Sequence, residues 1–310
     1  MSFFYNKSLK MFSKVQRKKA YVENEEGYFS YFELEGANKS EPLIFFHATG
    51  LNAETYLNLL EKIHLKLDGK KTIIAFDQRG HGITNLQADP KKLTSWDQYA
   101  DDAEVFLEKI NISSAIFFGH SMGSIVAAEV AKRNKFKISN LIMLDPVLFY
   151  DPYTSLFSEL KNKFITLRSN TKVLGAAKRR DKFDSFSQAM SHYEGRSMFK
   201  TWPSISLEHY LSGGLEEEGP ILKLSCNPVW EAKTFETVSF KTYRTLNALN
   251  LPVLILRAKH FSTFSSKGVH YLNKKQNFSV SEVEGSHFFP IENTEDTKNL
   301  IQKFISSNHV

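Results

Sequence analysis

The chain is poor in cysteine: Cys226 is the single one among 310 residues. One thiol cannot form an internal disulfide framework, and this scarcity is typical of proteins from a reducing compartment. We therefore expect a cytoplasmic location. Long apolar runs are also missing, and no window reaches the roughly 20 residues that a membrane-spanning helix needs. The sequence thus predicts no transmembrane segment.

Motifs for nucleotides, metals and nucleic acids are missing as well. No G-x-x-x-x-G-K-[ST] and no G-x-G-x-x-G follows a strand-like run, and His and acidic residues lack the close spacing of a catalytic metal site. We therefore expect no metal and no other cofactor. The net charge of +6 is mild, and no zinc-finger, RNP-like or helix-turn-helix pattern accompanies it, so nucleic acid is not an expected partner. A basic cluster from Lys172 to Lys182 is interpreted as a solvated helix face.

The N-terminus is basic, since the first 19 residues hold six Lys and Arg and no acid. No continuous apolar stretch or small-residue cleavage site follows, so we do not predict a signal peptide. Two alternatives are open for this segment. It is either an amphipathic arm that touches a membrane surface or a partner, or a docked or frayed terminus.

Short apolar runs alternate with amphipathic stretches along most of the chain. After a strand pair at 20–34, the predicted strands are 43–46, 72–76, 115–118, 141–144, 252–256 and 278–283. The predicted helices are 54–67, 96–110, one that starts at 121, 236–250 and 293–305. Continuously apolar strands are typical of a parallel sheet buried on both faces. The sequence predicts the α/β class, with a mostly parallel sheet covered by helices on both faces.

The alternation is interrupted between Leu144 and Pro252 by about a hundred residues, far more than one crossover needs. This stretch is rich in aromatic residues. We interpret residues 148–235 as an inserted helical cap, and residues 1–147 with 236–310 as the core. Because open α/β sheets bind ligands beyond the carboxyl ends of their strands, such a cap would cover the site.

The most informative motif is Gly-His-Ser-Met-Gly at 119–123, between a predicted strand and a predicted helix. It fits the G-x-S-x-G nucleophile elbow, which makes Ser121 the candidate nucleophile. Glycines two residues to either side suit a turn in which a Cβ would collide with the neighbouring chain. The N–H of Met122, at the helix N-terminus, can bind a developing oxyanion. The alternative is a glycine-bracketed turn with a surface serine.

Three more loops that follow predicted strands carry polar groups: His47-Ala-Thr-Gly, Asp77-Gln-Arg-Gly-His-Gly and Glu284-Gly-Ser-His. With the elbow, and in this order, they resemble the α/β-hydrolase fold family over nearly the whole chain. His-Ala-Thr-Gly is similar to the oxyanion loop of a bacterial subgroup of serine esterases and lipases. This resemblance implies that Thr49 supplies the second N–H of the oxyanion hole.

A nucleophilic serine needs a base and an acid that orients the base. His287 is the candidate base because it follows the last predicted strand. Most members of the resembled family carry the acid after the strand that corresponds to 252–256, but the loop there holds no Asp or Glu. Some members place it one strand earlier, and Asp145 follows strand 141–144, so we predict Asp145 as the acid. Two alternatives are that Asp145 only caps its loop, or that the site is a Ser–His pair.

The predicted function is that of a serine hydrolase that cleaves small, mostly apolar carboxylic esters through an acyl-enzyme. A triad of Ser121, His287 and Asp145 would carry the reaction. One alternative is a carbon–carbon bond hydrolase of the same fold, which would need a basic anchor, such as Arg179 or Arg196, for a substrate carboxylate. The other is a non-catalytic ligand-binding member of the fold, against which the intact serine and histidine argue.

Overall fold

The computed structural model describes residues 15–23, 25–38, 40–148 and 171–308. Its strands are β1 (Val15–Val22), β2 (Gly27–Leu34), β3 (Leu43–Phe46), β4 (Ile73–Phe76), β5 (Ser114–His120), β6 (Lys137–Leu144), β7 (Lys182–Phe183), β8 (Leu215–Glu218), β9 (Ile221–Leu224), β10 (Val253–Ala258) and β11 (Phe278–Val283). Its α-helices are α1 (Leu57–Lys66), α2 (Asp97–Lys109), α3 (Met122–Arg133), α4 (Thr171–Ala177), α5 (Phe186–Tyr193), α6 (Ser204–Ser212), α7 (Pro228–Glu236), α8 (Thr242–Asn247), α9 (Ser266–Leu272), α10 (Phe289–Glu292) and α11 (Thr294–Ser307).

Eight strands form one sheet in the order β1-β2-β4-β3-β5-β6-β10-β11. The pairs from β4 to β11 are parallel, whereas β1 and β2 form an antiparallel hairpin at one edge. This arrangement confirms the predicted mostly parallel sheet. Because the six parallel strands run in one direction, the loops that follow them leave the sheet at the same edge.

The sheet is buried on both faces because side chains alternate between two hydrophobic layers. In β3, Leu43 and Phe45 belong to the layer covered by α1 and α11. Ile44 and Phe46 belong to the opposite layer, covered by α2 and α3. All four side chains are fully buried, which explains why this strand is continuously apolar in sequence.

Residues 171–236, between β6 and β10 in sequence, contain strands as well as helices. Besides α4 to α7, strands β7, β9 and β8 form a separate three-stranded antiparallel sheet, which the sequence pattern does not predict. The division into a core and a cap at 148–235 stays a prediction. Residues 149–170 of this segment and residues 1–14 of the basic N-terminus lie outside the described residues.

Two helices near the end of this region differ from the sequence-based expectation. The helix predicted over 236–250 is wrong in its extent, because α7 continues to Glu236 and α8 begins only at Thr242. Helix α9, between β10 and β11, is not predicted by the pattern. Across the parts of the chain that the structure describes, no helix combines the length and apolar character needed to traverse a bilayer.

Candidate active site

The turn between β5 and α3 holds Ser121 in a backbone conformation that non-glycine residues rarely adopt, with φ 55° and ψ −117°. A Cβ on Gly123 would lie 2.2 Å from the carbonyl oxygen of Phe46, and one on Gly119 would lie 2.6 Å from the carbonyl carbon of Gly123. Both glycines are therefore required by space, since the elbow packs directly against the end of β3. The turn places Ser121 immediately before α3, so that Met122 is the first residue of the helix.

Ser121 faces His287, which lies in the loop after β11. The Ser121 Oγ and the His287 Nε2 are 3.0 Å apart, and the His287 Nδ1 lies 2.6 Å from the Asp145 Oδ2. An ionised carboxylate only accepts hydrogen bonds, so Nδ1 carries the proton and Nε2 accepts from the serine hydroxyl. The structure thus brings together the three side chains that the sequence analysis selected as nucleophile, base and acid. In this arrangement His287 can take the hydroxyl proton of Ser121 while Asp145 holds the imidazole in place.

Asp145 is fully buried, and its carboxylate accepts hydrogen bonds from the last residue of β10 and from the loop after it. The Ala258 N–H and the Ser262 hydroxyl donate to Oδ1 at 2.8 and 2.6 Å, and the Thr263 N–H donates to Oδ2 at 2.9 Å. Burial by itself would raise the pKa of this carboxyl. His287, Ser262 and Ala258 outweigh burial and hold the pKa below its ordinary value. The loop after β10, which contains no Asp or Glu, therefore helps to stabilise the charge of Asp145, which follows the neighbouring strand β6.

His120, the residue before the nucleophile, contacts the backbone of His287. Its Nε2–H donates to the His287 carbonyl at 2.8 Å, and its Nδ1 accepts from the Tyr56 hydroxyl at 2.6 Å. Burial, and then the nearby His287, lower the pKa of His120 to about 3, so the ring is neutral and can serve both roles. No sequence pattern indicates this contact, because His120 and His287 are 167 positions apart.

The loop after β3 is attached to the turn after β4 by two buried imidazoles. The Nε2 of His47 accepts from the Gln78 N–H at 2.9 Å, and the Nε2 of His81 accepts from the Gly50 N–H at 3.0 Å. These bonds fix the position of Thr49, which lies between them in sequence.

Thr49 lies beside the start of α3. Its Oγ1 donates to the Sδ of Met122 at 3.3 Å, and Thr49 and Ser121 line the same cavity. The two residues proposed from the sequence as oxyanion donors are therefore neighbours. That their N–H groups act as the donors stays a prediction.

The cavity above Ser121 has a volume of about 1160 Å³. Its apolar wall includes Val147, Ala176, Met198, Phe199, Val238 and Phe288. Its basic wall includes Lys178, Arg179, Arg180, His192 and Arg196. Three of these basic residues belong to the cluster interpreted from sequence as a solvated helix face. The helix is wrong for them, because α4 ends at Ala177 and they line the cavity beyond it. Lys178 and Arg180 are exposed, as that interpretation expects, whereas Arg179 is half-buried.

Arg179 is engaged in the wall of this cavity. Its Nη1 lies 2.7 Å from the Oε2 of Glu231, and it also donates to the Tyr210 hydroxyl. Burial would lower the pKa of Arg179, but Tyr210 and Glu231 raise it well above its ordinary value. A Cβ on Gly50 would lie 2.3 Å from the Oε1 of Glu231. The ion pair thus packs against the loop after β3, and Glu231 compensates the charge of Arg179.

Among the described residues, no group of three or more His, Cys, Asp or Glu side chains is placed to hold a metal ion. The polar residues that line the cavity include Ser121, His287, Thr49 and Thr263.

A family model described as "Serine aminopeptidase, S33" matches residues 40–196, just over half of the chain. A 2-(acetamidomethylene)succinate hydrolase of Mesorhizobium japonicum is 27% identical over 111 residues, 36% of either chain. A human (lyso)-N-acylphosphatidylethanolamine lipase is 26% identical over 110 residues, 35% of this chain and 31% of the lipase. The matched segments span about a third of the length of these relatives.

Solved structures match over nearly the whole chain. The crystal structure of E-2-(acetamidomethylene)succinate hydrolase superposes with a TM-score of 0.69 at 20% identity, covering 94% of this chain and 99% of that one. A thioesterase domain from the curacin biosynthetic pathway superposes with a TM-score of 0.73 at 12% identity, covering 93% and 99%. At these identities the likeness shows a common fold.

Proposed function

Since the chain belongs to the α/β-hydrolase family described as serine aminopeptidase, S33, we propose that it is a serine hydrolase that cleaves carboxylic esters through an acyl-enzyme. The observation that carries the proposal is the hydrogen-bonded order Ser121–His287–Asp145, with distances of 3.0 and 2.6 Å, at a cavity. Ser121 is the nucleophile, His287 the general base and Asp145 the acid. The single cysteine supports a cytoplasmic location.

In the first half of the proposed reaction, the Ser121 Oγ attacks the acyl carbon while the His287 Nε2 takes the hydroxyl proton. The imidazolium that forms is stabilised by the buried Asp145 carboxylate. Collapse of the tetrahedral intermediate breaks the bond to the alcohol oxygen, which takes its proton from His287. The products are the free alcohol and an acyl group on Ser121.

In the second half, His287 removes a proton from a water molecule that attacks the acyl carbon. The carboxylic acid product then leaves as Ser121 takes that proton back from His287. The Met122 and Thr49 N–H groups hold the oxyanion in both halves. Support for this assignment is the position of Met122 at the start of α3 and its contact with Thr49.

The apolar wall of the cavity supports an apolar acyl or alcohol part of the ester. The family description also raises amide hydrolysis, and the sequence analysis leaves carbon–carbon cleavage as an alternative. Both reactions would use the same three side chains. Of the two predicted carboxylate anchors for a carbon–carbon hydrolase, Arg179 is already compensated by Glu231. Arg196 has no acidic partner among the described residues and stays available for a carboxylate. Ester cleavage makes the smallest demand on the site, since an alkoxide leaves more readily than an amide anion or a carbanion.

The test is a substrate panel: p-nitrophenyl esters of increasing acyl length, an aminoacyl p-nitroanilide and a 1,3-diketone. We expect the esters to be turned over fastest. Ser121→Ala should lose roughly three or more powers of ten in kcat with little change in the unfolding midpoint. Ser279→Ala serves as the control, because Ser279 is an exposed serine on β11 that does not line the cavity.

Ester turnover at the wild-type rate by Ser121→Ala would refute the nucleophile. Faster cleavage of the p-nitroanilide or the diketone would move the function to one of the other two classes. A folded wild-type protein without activity on the whole panel would favour the non-catalytic binding member.

A further inference from the structure

The cavity wall carries an excess of positive charge that ester hydrolysis does not require. Among the described residues that line it, Lys178, Arg179, Arg180 and Arg196 are cationic, whereas Glu231 is the one acid. Glu231 forms its ion pair with Arg179. The remaining three cations have no compensating acid among the described residues of the wall.

Two of these three cations are uncommitted. The guanidinium of Arg180 donates to the Lys182 carbonyl at 3.0 Å and to the Gln188 Oε1 at 2.7 Å, which directs it along α5. The side chains of Lys178 and Arg196 form neither a hydrogen bond nor an ion pair with another described residue, and both are exposed. Two cationic groups on the wall of one cavity are thus free to meet a ligand.

The surroundings of His192 support the clustering of charge on this wall. Burial lowers the pKa of His192, and the guanidinium groups of Arg180, Arg196 and Arg179 lower it further. The three arginines therefore act on one point of the wall. Like charges held together in this way are stabilised by an anionic partner.

We propose that the substrate is an ester that also carries a carboxylate, which Lys178 and Arg196 bind while the acyl carbon lies at Ser121. This inference rests on the proposed ester hydrolysis and deepens it. The apolar wall, with Phe199 and Phe288, contacts the hydrocarbon segment between the ester and the carboxylate. The planar guanidinium of Arg196 can take both carboxylate oxygens, while the ammonium of Lys178 adds a second charge.

The test compares two p-nitrophenyl esters with acyl chains of equal length, p-nitrophenyl octanoate and mono-p-nitrophenyl suberate, which ends in a carboxylate. The measured quantity is the ratio of kcat/KM for suberate to that for octanoate. In the double variant Lys178→Gln/Arg196→Gln this ratio should fall by about tenfold, mainly through the KM for suberate, because exposed ion pairs contribute modestly to binding. High salt should lower the wild-type ratio in the same direction.

Lys200→Gln is the matched control, since Lys200 is an exposed lysine of the same region that does not line the cavity. It should leave the ratio unchanged, and the charge reversal Lys178→Glu/Arg196→Glu should lower it beyond the double glutamine variant. An unchanged ratio in both double variants, with octanoate still hydrolysed, would overturn the carboxylate proposal alone. If the proposed ester hydrolysis itself is wrong, the wild-type protein would hydrolyse neither octanoate nor suberate.

Discussion

Asp145 is the residue whose role separates the candidate mechanisms most clearly. Asp145→Asn should keep the fold but lower kcat by roughly a hundredfold or more. The reason is that the amide can donate to the His287 Nδ1, which moves the ring proton to Nε2. A protonated Nε2 cannot accept the hydrogen bond from the Ser121 hydroxyl. The measurement is ester turnover beside a thermal unfolding curve.

Ser262→Ala is the comparison for this variant. It removes one donor to the Asp145 Oδ1 but leaves the Ala258 N–H and the His287 contact, so we expect a loss of about tenfold or less. Nearly normal turnover in Asp145→Asn would instead support one of the alternatives, in which Asp145 only caps its loop or the site works as a Ser–His pair.

Individual site residues could be predicted where a residue type suited to catalysis directly follows a strand. Ser121, Asp145 and His287 each follow a strand of the parallel sheet, so their side chains could be selected from the sequence and are found within hydrogen-bond distance of one another. The contacts of His120 and Ser262 were not predictable. They depend on how loops from distant parts of the chain fold over one another, which no local pattern encodes.

At the scale of elements, the junction of β5, α3 and β3 has little tolerance for added volume. Gly123→Ala places a Cβ against the carbonyl oxygens of Phe46 and His47, at 2.2 and 2.6 Å, and these are backbone atoms that cannot rotate away. We expect the free energy of unfolding to fall by about 2 kcal/mol or more. Urea unfolding followed by circular dichroism measures it.

Gly175→Ala is the control for the elbow, because a Cβ at this position in α4 meets nothing within 4 Å. It should be neutral or stabilise the protein by about 0.5–1 kcal/mol. Wild-type stability in Gly123→Ala would mean that the elbow does not pack against β3 as described.

The strands of the large sheet were predictable because burial on both faces demands continuous apolar runs. The predicted bounds of β3 and β11 agree with the structure, and the other strands of the sheet overlap their predicted ranges. The small sheet was not predictable, since β8 reads Leu-Glu-Glu-Glu and its side chains are largely exposed. Such a strand is specified by its partner β9 and leaves no apolar pattern of its own.

For the whole molecule, buried histidines set the response to acid. Burial is the first cause that lowers the pKa of His81 and His120 to about 3 and that of His209 to about 4. In the unfolded chain a histidine binds a proton at about pH 6.5. Between these values the unfolded state binds more protons, so the free energy of unfolding should fall as the pH falls from about 6.5 towards 3.

His81→Gln tests this account, because it removes one buried titrating ring. It should reduce the dependence of the unfolding free energy on pH in this range by up to about 1.4 kcal/mol per pH unit. His270→Gln, at an exposed position on α9, is the control and should keep the wild-type slope. A slope in His81→Gln equal to that of the wild type would show that His81 does not contribute.

The architecture of the whole chain was predictable, but the character of its cavity was not. The order of the loops and the alternation of strands and helices indicated the α/β-hydrolase fold. The family match and the solved structures agree with this fold. The basic wall depends on where α4 ends, and the contact of Glu231 with the loop after β3 depends on tertiary packing. The substrate class therefore had to be inferred from the assembled cavity.

The measurement that tests the central claim most directly is labelling with a fluorophosphonate, followed by intact and peptide mass spectrometry. We predict one phosphonyl group per chain, located on Ser121, with ester hydrolysis lost in proportion to labelling. Ser121→Ala should stay unlabelled, and His287→Ala should react far more slowly because its serine lacks a base. A folded wild-type protein that takes up no label, or that loses activity through a label on another residue, would contradict the account.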